Sequence, residues 1–172
     1  HLKGGILNVT SKENEGSTFC FTNWYEVLEN MAAKKENENE VLLPFSNVKI
    51  LVAEDNPINK FLIVKILKGW EVNAEVVENG REALDKLKDN TYDVILMDTY
   101  MPVMNGLDAT RLIREGAVPG KESIPVITFS AAVMETDKQA AIAAGANDVL
   151  GKPYDLAILH QKITQLVKKS TD

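Results

Sequence analysis

DVILMDTYMPVMNG, residues 93–106, is the stretch from which the rest of this chain is read. The apolar run Val94-Ile95-Leu96-Met97 reads as a strand, and it ends in Asp98. Upstream, a second apolar run from Val48 to Ala53 ends in Glu54-Asp55. Downstream, PVITFS ends in Ser130, and NDVLGKP carries Lys152-Pro153. Strand-like runs at 48–53, 73–77, 93–97, 125–129 and 147–150 alternate with helix-like segments at roughly 57–68, 80–89, 105–115, 134–144 and 155–169. That alternation predicts the α/β class, a doubly wound five-stranded parallel sheet. In such sheets ligands gather outside the carboxyl ends of the strands. Three carboxylates, a hydroxyl and an ammonium are therefore expected at one edge.

Finer signals place the helices. Pro57 suits the first turn of helix one, with Asp55 or Asn56 as its cap. In the last helix Leu156, Leu159, Ile163 and Leu166 have the spacing of a buried stripe. Helix one has more apolar residues than one face requires. Leu62, Ile63, Ile66 and Leu67 are expected to cover the sheet. Ile58, Phe61 and Val64 then form a second stripe flanked by Lys65, read as a partner-docking surface.

Residues 1–25 differ. ILNVT and TFCFT are short β-like runs around the turn-rich SKENEGS, and they read as a hairpin appendage. A lone hairpin is marginal in water, so this one is expected to dock on something. Residues 26–47, with KKENENE, read as a linker, helical near 27–35. Residues 48–172 are the main domain.

Composition narrows the function. The 172 residues are 45% hydrophobic and 26% charged, as in a globular protein. A net charge of −6 argues against a general nucleic-acid binder. Cys20 is the single cysteine and excludes an internal disulfide; it is expected to pack as an apolar residue. With no signal-like start, it fits a reducing cytoplasm. No apolar stretch is long enough to span a bilayer, so no membrane contact is expected from these residues. The start at His1 suggests a piece of a longer protein, whose membrane anchor would lie outside it. Trp24 and Trp70 are expected to pack, and His160 to lie on the surface of the last helix.

The chemistry follows from the acidic edge. Two carboxylates about 4 Å apart repel by roughly 4 kcal/mol at an effective dielectric near 20. Three together need a cation or a raised pKa. All-oxygen ligands favour a hard ion, Mg²⁺ first and Mn²⁺ or Ca²⁺ next. Such an ion keeps waters and welcomes a phosphate. Lys152 supplies a fixed positive charge for it, and Ser130 a hydrogen-bond donor. Asp98, central in strand order, is the natural nucleophile, a carboxylate that accepts a phosphoryl group. An FMN carrier of the same fold would be repelled at EDNPIN. An aspartate-nucleophile phosphatase would need a second Asp at the position of Tyr100.

VAEDNPIN (52–59), LMDTYMPVMNG (96–106) and GKP (151–153) together resemble the response-regulator receiver domain, especially the kind fused to hybrid sensor histidine kinases. The resemblance implies a flavodoxin-like (βα)5 fold and a two-component phosphorelay. It implies Asp98 as phosphorylation site, Asp55 as direct Mg²⁺ ligand, Glu54 acting on the metal through water, and the Tyr100 backbone carbonyl as a further ligand. Ser130 would be the switch hydroxyl, Lys152 the phosphate-pairing lysine, and Lys152–Pro153 a cis bond. It implies as partners a kinase dimerisation domain bearing phosphohistidine and a histidine phosphotransfer protein. The alternative is a degenerate receiver that acts only as an interaction module. One departure is Val149, where the family usually has a rotating Tyr or Phe. GGILNVTSKENEGSTFCF (4–21) resembles the last hairpin of the histidine-kinase ATP-binding domain. That domain's nucleotide motifs and a phosphorylatable-histidine motif are absent, so the chain reads as a phosphoacceptor rather than a kinase.

Overall fold

The computed structural model describes residues 6–12, 16–22, 44–45, 47–130 and 134–169. The chain divides into two compact units, His1–Glu40 and Val41–Asp172. The helix expected near 27–35, Trp24 and Ala132 lie outside the described residues.

The first unit holds β1 (Ile6–Lys12) and β2 (Gly16–Thr22), paired antiparallel from Ile6↔Thr22 to Lys12↔Gly16. The strands extend past the expected apolar runs to include Ser11 and Ser17, whose hydroxyls meet at 2.8 Å. Val9 faces Phe19 across the ladder, and both are exposed. Cys20 is exposed as well, a correction to its expected packing. A two-stranded sheet has two faces, and covering one takes a further layer.

The second unit alternates β3 (Lys49–Ala53), α1 (Pro57–Gly69), β4 (Asn73–Val77), α2 (Gly80–Asp89), β5 (Val94–Asp98), α3 (Gly106–Arg114), β6 (Val126–Ser130), α4 (Glu135–Ala143), β7 (Asp148–Gly151) and α5 (Leu156–Lys169). The sheet is parallel, in the order β4-β3-β5-β6-β7. The chain leaves β3 toward β4 on one side and returns to β5 on the other. This makes a topological switch point between β3 and β5, where a ligand crevice opens.

Side-chain alternation divides the core. Ile50, Val52 and Leu96 join Ile63, Leu67, Leu159 and Ile163 on the α1/α5 side. Leu51, Ala53, Ile95 and Met97 join Leu84, Leu87, Ala109 and Ile113 on the α2/α3 side. Every residue of β5 and β6 is buried, which explains why their sequences are continuous apolar runs.

Asn56, rather than Asp55, caps α1: its Oδ1 accepts from the backbone N–H of Ile58 at 2.9 Å and of Asn59 at 3.3 Å. Three helix expectations need correction. Leu62 is 45% exposed and does not cover the sheet; Ile63 and Leu67 do, with Ile66 half-buried beside them. Leu156, the first residue of α5, is also exposed, and burial starts one turn later at Leu159. An element's end has neighbours on one side only. His160 is not a plain surface residue. Its ring lies 4.5 Å from Phe45 and 5.0 Å from Trp70, so three rings close one end of the core. Phe45, in the stretch read as linker, is buried there, and its N–H donates to the Trp70 carbonyl at 2.8 Å. Trp70 packs as expected.

Candidate functional site

The carboxyl ends of β3, β5, β6 and β7 bring the expected polar groups to one edge. Glu54 and Asp55 follow β3, Asp98 ends β5, Ser130 ends β6, and Lys152 follows β7. Carboxylate oxygens of Glu54, Asp55 and Asp98 all lie within 4.8 Å of one another. Glu54 and Asp98 are buried, and Asp55 is the more open of the three. No histidine or cysteine joins this set. The donors are hard oxygens at a concentration of negative charge, which fits a hard divalent cation such as Mg²⁺.

Lys152 neutralises part of that charge. Its Nζ lies 2.6 Å from Glu54 Oε2 and 2.9 Å from Asp98 Oδ2. Its backbone N–H donates to the Ser130 carbonyl at 2.8 Å, which fixes the lysine to the end of β6. The Lys152–Pro153 bond is cis. Ser130 is buried beside this contact, in register with Gly151.

Burial pushes the Asp98 carboxyl above the ordinary carboxylate range. A hydrogen bond from Lys152 pulls it down, the Glu54 charge pushes it up, and the Tyr100 backbone N–H also lowers it; the net direction is upward. A carboxylate whose charge is only partly compensated is disposed to take up an electrophile or sit against a cation.

Three residues that sequence reasoning left without a role help build the site. Asn59 Nδ2 donates to Glu54 Oε1 at 3.0 Å, and the Asn56 N–H reaches the same oxygen at 3.3 Å. Asn59 sits in the first turn of α1, five residues after Glu54, and that spacing beside a strand-end acid was the available signal. Thr99 uses both its N–H (3.0 Å) and its Oγ1 (2.7 Å) on the Phe129 carbonyl, tying the end of β5 to β6 beside Asp98. Gly106 packs against Asp98: a Cβ there would lie 2.0 Å from the Asp98 carbonyl oxygen, so only glycine fits.

The residues expected to dock a partner lie on one helix. Ile58 is 76% and Phe61 71% exposed; Val64 is half-buried and Lys65 exposed. Tyr100 is exposed at the rim, and Val149, in the position of the family's aromatic, is buried against Ala141 and Ala146.

Known proteins share the sequence pattern and the fold. The family profile described as "Response regulator receiver domain" matches residues 50–164. The autoinducer 2 sensor kinase/phosphatase LuxQ of Vibrio vulnificus is 35% identical over 160 residues, covering 92% of this chain. The chain spans only 18% of that relative's length. Among solved structures, the receiver domain of sensor histidine kinase PA1611 from Pseudomonas aeruginosa superposes with a TM-score of 0.66 at 32% identity. That match covers 72% of this chain and 99% of that one, which was solved with a magnesium ion coordinated in its active site cleft. The Saccharomyces cerevisiae receiver domain of Ssk1, solved with the histidine phosphotransfer protein Ypd1, gives a TM-score of 0.66 at 28% identity, over 73% of this chain and 92% of that one. A profile match across most of the second unit, with the acidic triad and lysine at the predicted strand ends, settles the family: this chain belongs to the response regulator receiver domains.

Proposed function

We propose that residues 48–172 take a phosphoryl group from a phosphohistidine onto Asp98 and pass it on to a histidine phosphotransfer protein. The observation that carries this reading is the placement of Asp98, within 4.8 Å of two further carboxylates and 2.9 Å from Lys152 Nζ. An Asp98 oxygen attacks phosphorus in line. A P–O bond forms as the P–N bond breaks, and the imidazole nitrogen keeps the electron pair and takes a proton. Lys152 balances the charge brought to Asp98, and the buried Ser130 hydroxyl donates to a phosphoryl oxygen. Asp55 and Asp98 would hold Mg²⁺ directly, with the Tyr100 carbonyl as a further ligand and Glu54 acting through water. Bound there, the ion would supply positive charge to the phosphoryl oxygens. A complete set of acids, hydroxyl and lysine favours this reading over a degenerate interaction module.

The wider context belongs to the same proposal. The parent would be a hybrid histidine kinase, with residues 1–25 as the last hairpin of its ATP-binding domain and 26–47 as a linker. The exposed Ile58 and Phe61, with Val64 and Lys65, would form the docking face for the donor and acceptor helices. Among the described residues no helix is long and apolar enough to cross a membrane, and a cytoplasmic location is proposed for the domain.

The test is labelling with acetyl phosphate and Mg²⁺. One phosphate per chain is expected. Asp98→Asn should abolish it, and Asp55→Ala should reduce it at least tenfold. Undiminished labelling of Asp98→Asn would overturn the assignment.

A further inference from the structure

We propose that Asn59 sets the cation preference of the site by holding Glu54 out of direct ligation. The inference rests on the metal-site reading above and gives a role to a residue that reading does not use. Glu54 is 1% exposed and both of its oxygens are engaged. Oε2 accepts from Lys152 Nζ at 2.6 Å. Oε1 accepts from Asn59 Nδ2 at 3.0 Å and from the Asn56 N–H at 3.3 Å. Lys152 is shared with Asp98, at 2.9 Å, so its hold on Glu54 loosens whenever Asp98 draws it away. The amide of Asn59 comes from α1 and has no such second duty. It is the restraint that persists through the reaction.

The restraint matters because the ions differ. Mg²⁺ needs near-octahedral geometry and keeps several waters, so it suits one or two carboxylates. Ca²⁺ is larger, takes six to eight oxygens and tolerates bidentate carboxylates. The terminal torsion of a glutamate is broad, so a carboxylate freed at Oε1 can turn readily. Without the Asn59 amide, Oε1 keeps only the longer backbone contact. Glu54 then becomes a third carboxylate ligand within reach, a donor set that suits Ca²⁺. Outer partners that orient metal ligands typically change metal affinity by about 10- to 100-fold when removed.

Helix capping is not at stake in the test. Asn56 caps α1 through its own side chain, and alanine is a better helix former than asparagine. Isothermal titration of the full chain with MgCl₂ and with CaCl₂ would be run on wild type, Asn59→Ala, Asn59→Gln, Glu54→Gln and the Asn59→Ala/Glu54→Gln double variant. Kd(Mg)/Kd(Ca) should rise about tenfold in Asn59→Ala. It should stay near the wild-type ratio in Asn59→Gln, which keeps an amide donor. In the Glu54→Gln background the Asn59→Ala change should have no effect on the ratio, because the coupling runs through that carboxylate. A ratio within twofold of wild type in Asn59→Ala, or an equal shift in the Glu54→Gln background, overturns the proposal while leaving the metal site in place. A wild-type chain that binds neither cation overturns the metal site itself and this proposal with it.

Discussion

Replacing Lys152 with methionine tests the electrostatic account of the site most directly. The lysine bridges Glu54 at 2.6 Å and Asp98 at 2.9 Å, and both carboxylates are buried. Methionine keeps much of the stem and removes the charge. Two carboxylates within 4.8 Å of each other repel by at least about 3.5 kcal/mol at an effective dielectric near 20. Removing one partner of a buried ion pair costs about 3–5 kcal/mol, because the charge left behind is uncompensated. A loss near 3 kcal/mol is therefore expected at pH 7 without divalent ions. With a urea slope of about 2 kcal/mol/M, the unfolding midpoint should fall by about 1.5 M. Circular dichroism during urea titration reads this. Two dependences separate charge from packing. The deficit should shrink as the pH falls and one carboxylate takes a proton. It should also shrink on adding Mg²⁺, which restores positive charge to the cluster. A deficit that persists at low pH, or a midpoint unchanged at pH 7, would refute the account of Lys152 as the cation that holds the acids together.

The remaining predictions concern Asp98, docking, the Thr99 bond between β5 and β6, and lifetime. The folded pKa of Asp98 is raised, so its contribution favours folding at pH values below the ordinary carboxylate range and is lost as the pH rises through the raised value. Asp98→Asn should accordingly be more stable than wild type at pH 7 in metal-free buffer, with the gap closing toward about pH 4 in thermal melts. Phe61→Asp, at an exposed position, should cut transfer from a phosphohistidine donor about tenfold or more while sparing acetyl-phosphate labelling. Equal loss of both would point to misfolding. Thr99→Val removes the 2.7 Å bond to the Phe129 carbonyl and should cost about 1 kcal/mol in urea titration. The phosphoprotein should decay slowly once the donor is removed. Water must reach phosphorus in line, and the receiver resemblance implies that the residues two after the phosphoacceptor and two after the switch hydroxyl line that approach; here they are Tyr100 and Ala132, and neither carries the carboxylate or amide suited to orient water. Loss of label within seconds would contradict that, as would unchanged decay on replacing Ala132 with Glu and Tyr100 with Asn.

Much of this was legible in the sequence because a parallel sheet writes itself plainly. β5 and β6 are buried at every residue, so they appear as unbroken apolar runs that stop at a polar group. The helix ends are marked by Asn56, Asn105 and Asp155, whose side chains accept from backbone N–H groups of the first turns, so the expected boundaries fall within a residue of the observed ones. The illegible part depends on how elements lean on one another. Leu62 fits the buried stripe by spacing, yet α1 is rotated so that Ile63 and Leu67 fill the core. Glu54 and Lys152, 98 positions apart, were expected at one edge, but that the lysine would reach Glu54 directly was not legible. Phe45, Trp70 and His160 come from three separate segments, and no local pattern joins them.

The site and the stability of the domain pull in opposite directions, and the geometry shows where the balance is kept. Burial at the sheet edge, with the Glu54 charge beside it, raises the Asp98 pKa and opposes folding at neutral pH. The cost is held down locally, by Lys152 on two of the acids and by Asn59 and Asn56 on Glu54. Among the described contacts the compensation stops short of Asp55, the most open of the three. A fully paired cluster would be more stable and would have no unmet demand for a cation or a phosphoryl group. Val149 places the same economy on the output side. It fills a small apolar site against Ala141 and Ala146, where a larger ring would have to move to signal. A domain that hands its phosphoryl group onward requires the reactive edge to be poised and little else to change.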